Sequence, residues 1–375
     1  MPRLQYRLRQ LACCIALTAS PWTLAEDINT EMQKAGSALS ALIPFIYNDT
    51  RFRDPGNREI VEQQLDQLIR SMRASPSLMN DHAPLRRLSQ NNVQNQLEQA
   101  RDLFKSGNYA TAQYLLGGVP VLCSNCHIQD GVTASSAPAV KRDQFANDYS
   151  FAEFNYYVRN YPVAMKGFEQ HLAQKEVQSS LIQGGKTLER LLDITLITHR
   201  QPAAISERLR EYQQLPDLVL ELKQRIEEWI KGLAALEQAP TTDADLEATL
   251  YREFSDAFNL KHEFILDESR RPLALAWRAQ LQKASHNVDD KSETARHLYL
   301  ISILERMLGD QSELSLANLY LKECVQLSVP TYSRKCLNEY EAHLFFYYGG
   351  SAGTNLPPEV MQELNTMRSD LKSGL

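Results

Sequence analysis

No segment of the 375-residue chain approaches the roughly 18 consecutive apolar residues that a membrane-spanning helix needs. Runs of alternating apolar and polar residues are missing too, which argues against a β-sandwich or β-barrel. Cysteine is scarce: six in all, and two of them, Cys13 and Cys14, lie in the first 25 residues. Positive charge is in deficit, with 40 Lys and Arg against 46 Asp and Glu and a net charge of −6. A nucleic-acid binder is therefore not the first reading.

What the chain does have begins at its start. The stretch MPRLQYRLRQLACCIALTASPWTLA opens with Arg3, Arg7 and Arg9 and holds no acidic residue. An apolar run, Leu11 to Ala19, follows; then come Pro21 and the small residues Thr23 and Ala25 ahead of Glu26. This is the layout of a secretory signal peptide cleaved after Ala25, over residues 1–25. A lipoprotein signal at Cys13 is the poorer fit, because Gln10, Leu11 and Ala12 make a weak lipobox. Cleavage would deliver a soluble chain to the periplasm with 37 basic against 46 acidic residues, a net charge of −9. Such a chain suits a protein partner carrying a basic patch. Four cysteines would remain in an oxidising space: Cys123, Cys126, Cys324 and Cys336.

Nearly every apolar pattern has helical spacing, so the fold class is all-α. Four helices are expected over 26–130. Thr30 and Gln33 fit a capping box opening the first, with Ile28, Met32, Ala35, Leu39, Leu42 and Ile46 on its stripe. The second carries Val61, Leu65, Leu68 and Met72, and the third Val93, Leu97, Ala100 and Phe104. The fourth carries Ala112, Leu115, Val119, Leu122 and Cys126. Gly117, Gly118 and Pro120 predict a kink in it. Short connections make such helices an antiparallel bundle. Residues 131–145 read as a polar linker, and 146–375 as an array of helical hairpins with a break near 237–245. In the first hairpin Tyr161, Ala164 and Phe168 are similar to the packing residues of a tetratricopeptide pair, although the 34-residue repeat signature is not in register.

The chemistry sits in VLCSNCHIQDG, residues 121–131. Two thiols three apart on a helix point the same way, so Cys123 and Cys126 can add to the two vinyl groups of one haem. His127 follows at once and can bind the iron; Cys-x-x-Cys-His is the attachment signal of c-type haem. Three plainer readings compete. They are a local disulfide beside an incidental histidine, a redox dithiol, which belongs with a βαβ setting, and zinc, which would need two more ligands at metal-site spacing.

Four helices with this motif near the end of the fourth resemble the class II c-type cytochromes, the group that includes cytochrome c′. The resemblance covers 26–130 and implies one covalent haem c, with His127 as the proximal ligand. It also implies a sixth ligand from a methionine early in the first helix, where Met32 stands. Bundle topology points the same way, because the start of helix one and the end of helix four share one end. Most methionines on an apolar stripe are core. Met79 and His82, in the connection at that same end, are alternatives, as is a five-coordinate iron open to a gas such as nitric oxide. Met165 sits in a hairpin, where packing is its simpler role. Arg86 and Arg87 are candidate propionate donors, whereas Arg51 and Arg53 fall at the other end of the bundle.

Cys324 and Cys336 flank Val329 and Pro330 with eleven residues between them, and are expected to bridge two adjacent antiparallel helices. The remaining histidines show no paired spacing, and no sequence feature supplies a distal acid or base for peroxide cleavage. The expectation is an electron-carrying monohaem cytochrome, not an enzyme, whose helical array docks a protein partner. The alternatives are a gas-binding haem protein and a helical interaction protein with a structural haem.

Overall fold

The computed structural model describes residues 21–74, 84–129, 140–198, 201–236, 243–255, 266–285, 288, 290–309, 316–350 and 353–373. The first twenty residues of the expected signal, residues 131–139 of the expected linker (131–145) and residues 237–242 of the expected break (237–245) lie outside them. The described residues are all-α apart from a two-residue ladder, in which Gly349–Gly350 pairs antiparallel with Gly353–Thr354.

The bundle contains α1 (Pro21–Ile46), the short α2 (Asp49–Arg53), α3 (Arg58–Arg73), α4 (Pro84–Lys105) and α5 (Tyr109–Gln129). The expected stripes form its core: Leu42, Val61, Leu65, Leu97, Ala112 and Val119 are all buried. Helix α1 starts nine residues before the expected capping box. Pro21 is tolerated at a helix start, and no breaker follows it before Thr30, so the helix runs through. At one end, Gln113 Nε2 donates to Ile46 O (2.9 Å) and Arg58 donates to Lys105 O (3.1 Å). There α2 tucks Phe52 against Phe104, ring centroids 5.0 Å apart, and carries Arg51 and Arg53. At the other, Gln90 Nε2 donates to Met72 O (3.0 Å). Neighbouring helices therefore run antiparallel. Helix α5 continues through Pro120 to Gln129.

The array opens with the hairpin α6 (Asp148–Tyr157) and α7 (Tyr161–Leu172), whose turn holds Arg159 at φ 61°. The Asn147 side chain caps α6 by accepting from Ser150 N (2.8 Å). Helices α8 (Lys175–Gln178), α9 (Leu181–Thr198), α10 (Pro202–Gln213) and α11 (Leu220–Leu236) follow. Ala164, Phe168, Leu188, Leu192 and Trp229 form their shared core. A third core, around Phe254, Trp277, Leu298, Leu304 and Tyr340, is built by α12 (Asp243–Glu253), α13 (Arg271–Ser285), α14 (Lys291–Met307), α15 (Leu316–Gln326), α16 (Pro330–Tyr347) and α17 (Pro358–Ser373). The Cys324–Cys336 disulfide joins α15 to α16, as their spacing predicts. Array and bundle are packed together. Phe145 and Phe154 join the bundle core beside Tyr47, and Asn92 of α4 donates to Glu323 of α15 (3.0 Å).

Candidate functional site

Cys123, Cys126 and His127 all lie in the last two turns of α5. On a continuous helix, steps of three and four residues share a face, so both cysteines and the histidine belong to one face. The side chains of residues 121–129 lie outside the described ones, so the backbone alone defines their place. Pro120 leaves Leu116 O without its usual helical donor. One residue earlier, Gln96 Nε2 of α4 donates to Leu115 O (2.6 Å). A Cβ on Gly118 would stand 2.8 Å from that same amide nitrogen, so a glycine here leaves room for this contact.

Two hydrogen bonds set the height of the candidates on α1, α4 and α5 along the bundle. The Gln113–Ile46 bond fixes one level shared by α5 and α1. Fourteen residues onward in α5 is His127, and fourteen back in α1 is Met32, each about 21 Å away. The two residues therefore stand at the same height on helices that run in opposite directions. Met32 is half-buried and packs against the bundle core. The Gln96–Leu115 bond gives a second gauge. Twelve residues onward in α5 is again His127, and twelve back in α4 is Pro84, each about 18 Å away. Arg86 and Arg87 thus stand within one turn of that height, in the first turn of α4, although their side chains are outside the described residues. Met79 and His82 lie wholly outside them. Met72 has a buried side chain, and its carbonyl accepts from Gln90, which puts it below the motif in the core.

By type, two thiols, an imidazole and a thioether are donors that a c-type haem takes; the structure places only their backbone positions, the first three within the last two turns of α5 and Met32 level with them on α1. Among the described residues no group of three or more His, Cys, Asp or Glu could hold a metal ion. No helix among them is long and apolar enough to cross a membrane.

One buried group was not legible in advance. Glu323 is only 4% exposed, and its hydrogen bond comes from a neutral partner, Asn92. Desolvation pushes its carboxyl up to about 8, and the Asn92 bond opposes this weakly. No sequence signal marks it, because the packing of α15 on two sides is visible only in the tertiary structure.

Comparison of the chain with protein-family models, curated proteins and solved structures returns no match.

Proposed function

We propose that the chain is an exported monohaem c-type cytochrome that carries single electrons, with its helical array as the docking module for a protein partner. The observation behind this reading is the shared height of the Cys-x-x-Cys-His motif and Met32 at one end of an antiparallel four-helix bundle. Cys123 and Cys126 would tether the haem, His127 and Met32 would bind its iron, and Arg86 and Arg87 would be donors to its propionates. A bound haem supplies one-electron exchange, and thioether with imidazole ligation raises its reduction potential. The chain contributes ligands carried on helices that need not rearrange, since α1, α4 and α5 share one close-packed core. The acidic mature chain would favour a partner with a basic face, and stacked hairpins offer an extended surface to it.

The test is to produce the chain with a signal peptide and haem-maturation machinery, then record its mass and visible spectrum. The expected mass is that of the cleaved chain plus one haem, lost together with the colour in Cys123→Ser/Cys126→Ser. A colourless product with the mass of the bare chain would sink the proposal. Met32→Ala should abolish the weak far-red band of methionine-ligated ferric haem. Its survival in that variant would reassign the sixth position to Met79 while leaving the attachment reading intact.

A further inference from the structure

Between the bundle and the array lies a cleft of about 760 Å³, within the range of small-molecule sites. It is lined by Gly117 and Gly118 of α5, by Tyr47, and by Tyr156, Tyr157 and Tyr161 of the first hairpin; the Arg190 guanidinium already lies over the rings of Tyr156 and Tyr157, at 4.7 and 5.5 Å. The charges along the cleft do not balance group by group. Glu153 is held by Arg190 (2.8 Å) and Glu189 by Arg225 (3.4 Å). Glu305 shares Arg278 with Asp193, at 3.5 and 2.6 Å. Arg159 and Lys186 line the same cleft and have no carboxylate partner among the described residues.

Two further features point to the same place. Arg159 sits at φ 61°, a left-handed conformation that glycine or asparagine would adopt at less cost. It is partly desolvated, which pulls its pKa below the ordinary guanidinium value, and the groups that oppose this shift are Tyr161, Tyr156 and Tyr320, not carboxylates. The Tyr47 hydroxyl is buried at the cleft with no hydrogen-bond partner among the described residues. Buried hydroxyls are normally satisfied, so a donor is waiting where two unmatched cations already face the space.

We propose that this cleft binds a small planar organic anion, its acidic group held by Arg159 and Lys186 and its ring laid against Tyr161, with the Tyr47 hydroxyl as a further donor. Aromatic walls favour a flat body, and a planar guanidinium suits a carboxylate or phosphate. The inference does not rest on haem attachment. None of these groups belongs to the motif, and Gly118 lies nine residues, about 13 Å of helix, before His127.

The test is isothermal titration calorimetry on the exported full-length protein, with 2-naphthoate, 2-naphthylmethylammonium and inorganic phosphate as probes. Naphthoate should bind at a single site, the ammonium isostere should give no saturable heat, and phosphate should bind at least tenfold more weakly than naphthoate. Arg159→Gly should weaken naphthoate at least tenfold without lowering the melting temperature, because glycine relieves the left-handed backbone. Lys186→Glu, an exposed change that leaves the core untouched, should weaken it at least threefold. Arg368→Gln, on the distant α17, should leave it unchanged. The proposal is overturned by absence of naphthoate binding, by equal binding of the ammonium probe, by phosphate matching naphthoate, or by unaltered affinity in either Arg159→Gly or Lys186→Glu. The spectrum that tests haem attachment is read separately, so either idea can fail alone.

Discussion

Glu323 makes the joint between bundle and array sensitive to pH. Its folded pKa is raised from 4.5 to about 8 by burial, so the native state holds a proton that the unfolded chain releases near pH 4.5. The sign follows from linkage. A raised pKa gives stability that is complete below the unfolded value and is lost as pH climbs toward the folded one. At about 1.4 kcal/mol per pH unit, and with half the carboxyl still protonated at pH 8, the loss between pH 5 and pH 8 comes to between about 3 and about 4 kcal/mol. Glu323→Gln keeps an oxygen to accept from Asn92 and cannot ionise. The variant should match the natural protein near pH 5 and exceed it by between about 3 and about 4 kcal/mol at pH 8. Urea unfolding followed by helical circular dichroism at pH 5, 6.5 and 8 measures the difference. A gap between the two proteins that stays constant across this range would refute the reasoning, because a pH-independent effect cannot come from an ionising carboxyl.

Three further expectations are more local. Cys324→Ser with Cys336→Ser opens a loop of sequence separation 12 and should cost about 3 kcal/mol by the loop-entropy argument, read by urea unfolding against the oxidised protein. Gly232→Ala would drive its Cβ to 1.8 Å from Ser269 O, a backbone atom that cannot swing aside. We expect a loss of about 3 kcal/mol or more, seen as a lowered melting temperature. Met32→Ala should lower the reduction potential measured by protein-film voltammetry, and an unchanged potential would remove Met32 from the iron.

Much of the bundle was legible because each helix buries one stripe. Val61, Leu65, Leu68 and Met72 recur at four-three-four spacing and are all buried, as are Val93, Leu97, Ala100 and Phe104. The disulfide was legible because a turn at Val329 and Pro330 must bring Cys324 and Cys336 onto facing helices. The start of α1 was misread, since a good local cap at Thr30 does not act when residues 21–29 continue the helix. The cleft could not be read at all. Tyr47, Gly118, Arg159, Lys186 and Arg278 come from five separate segments, and no local spacing records that they meet. Glu323 stayed hidden for a related reason: α15 packs against its partner helices on one side and against α4 on the other.

The same arrangement explains how a helix weakened by Gly117, Gly118 and Pro120 can still run on to the Cys-x-x-Cys-His motif at its far end. An isolated helix with that run would lose order beyond the proline, because glycine and proline each cost it stability. Here α5 is held on two sides. Gln96 supplies a donor to Leu115 O just before the gap, and Phe145 and Phe154 of the following segment pack into the same core as Leu115 and Val119. The smallness of Gly118 that admits Gln96 also opens the wall of the cleft. The weak run is thus braced by neighbours that also line the cleft. A disturbance of that joint, such as ionisation of Glu323 against Asn92, would act on α4, the helix that supplies the bracing Gln96.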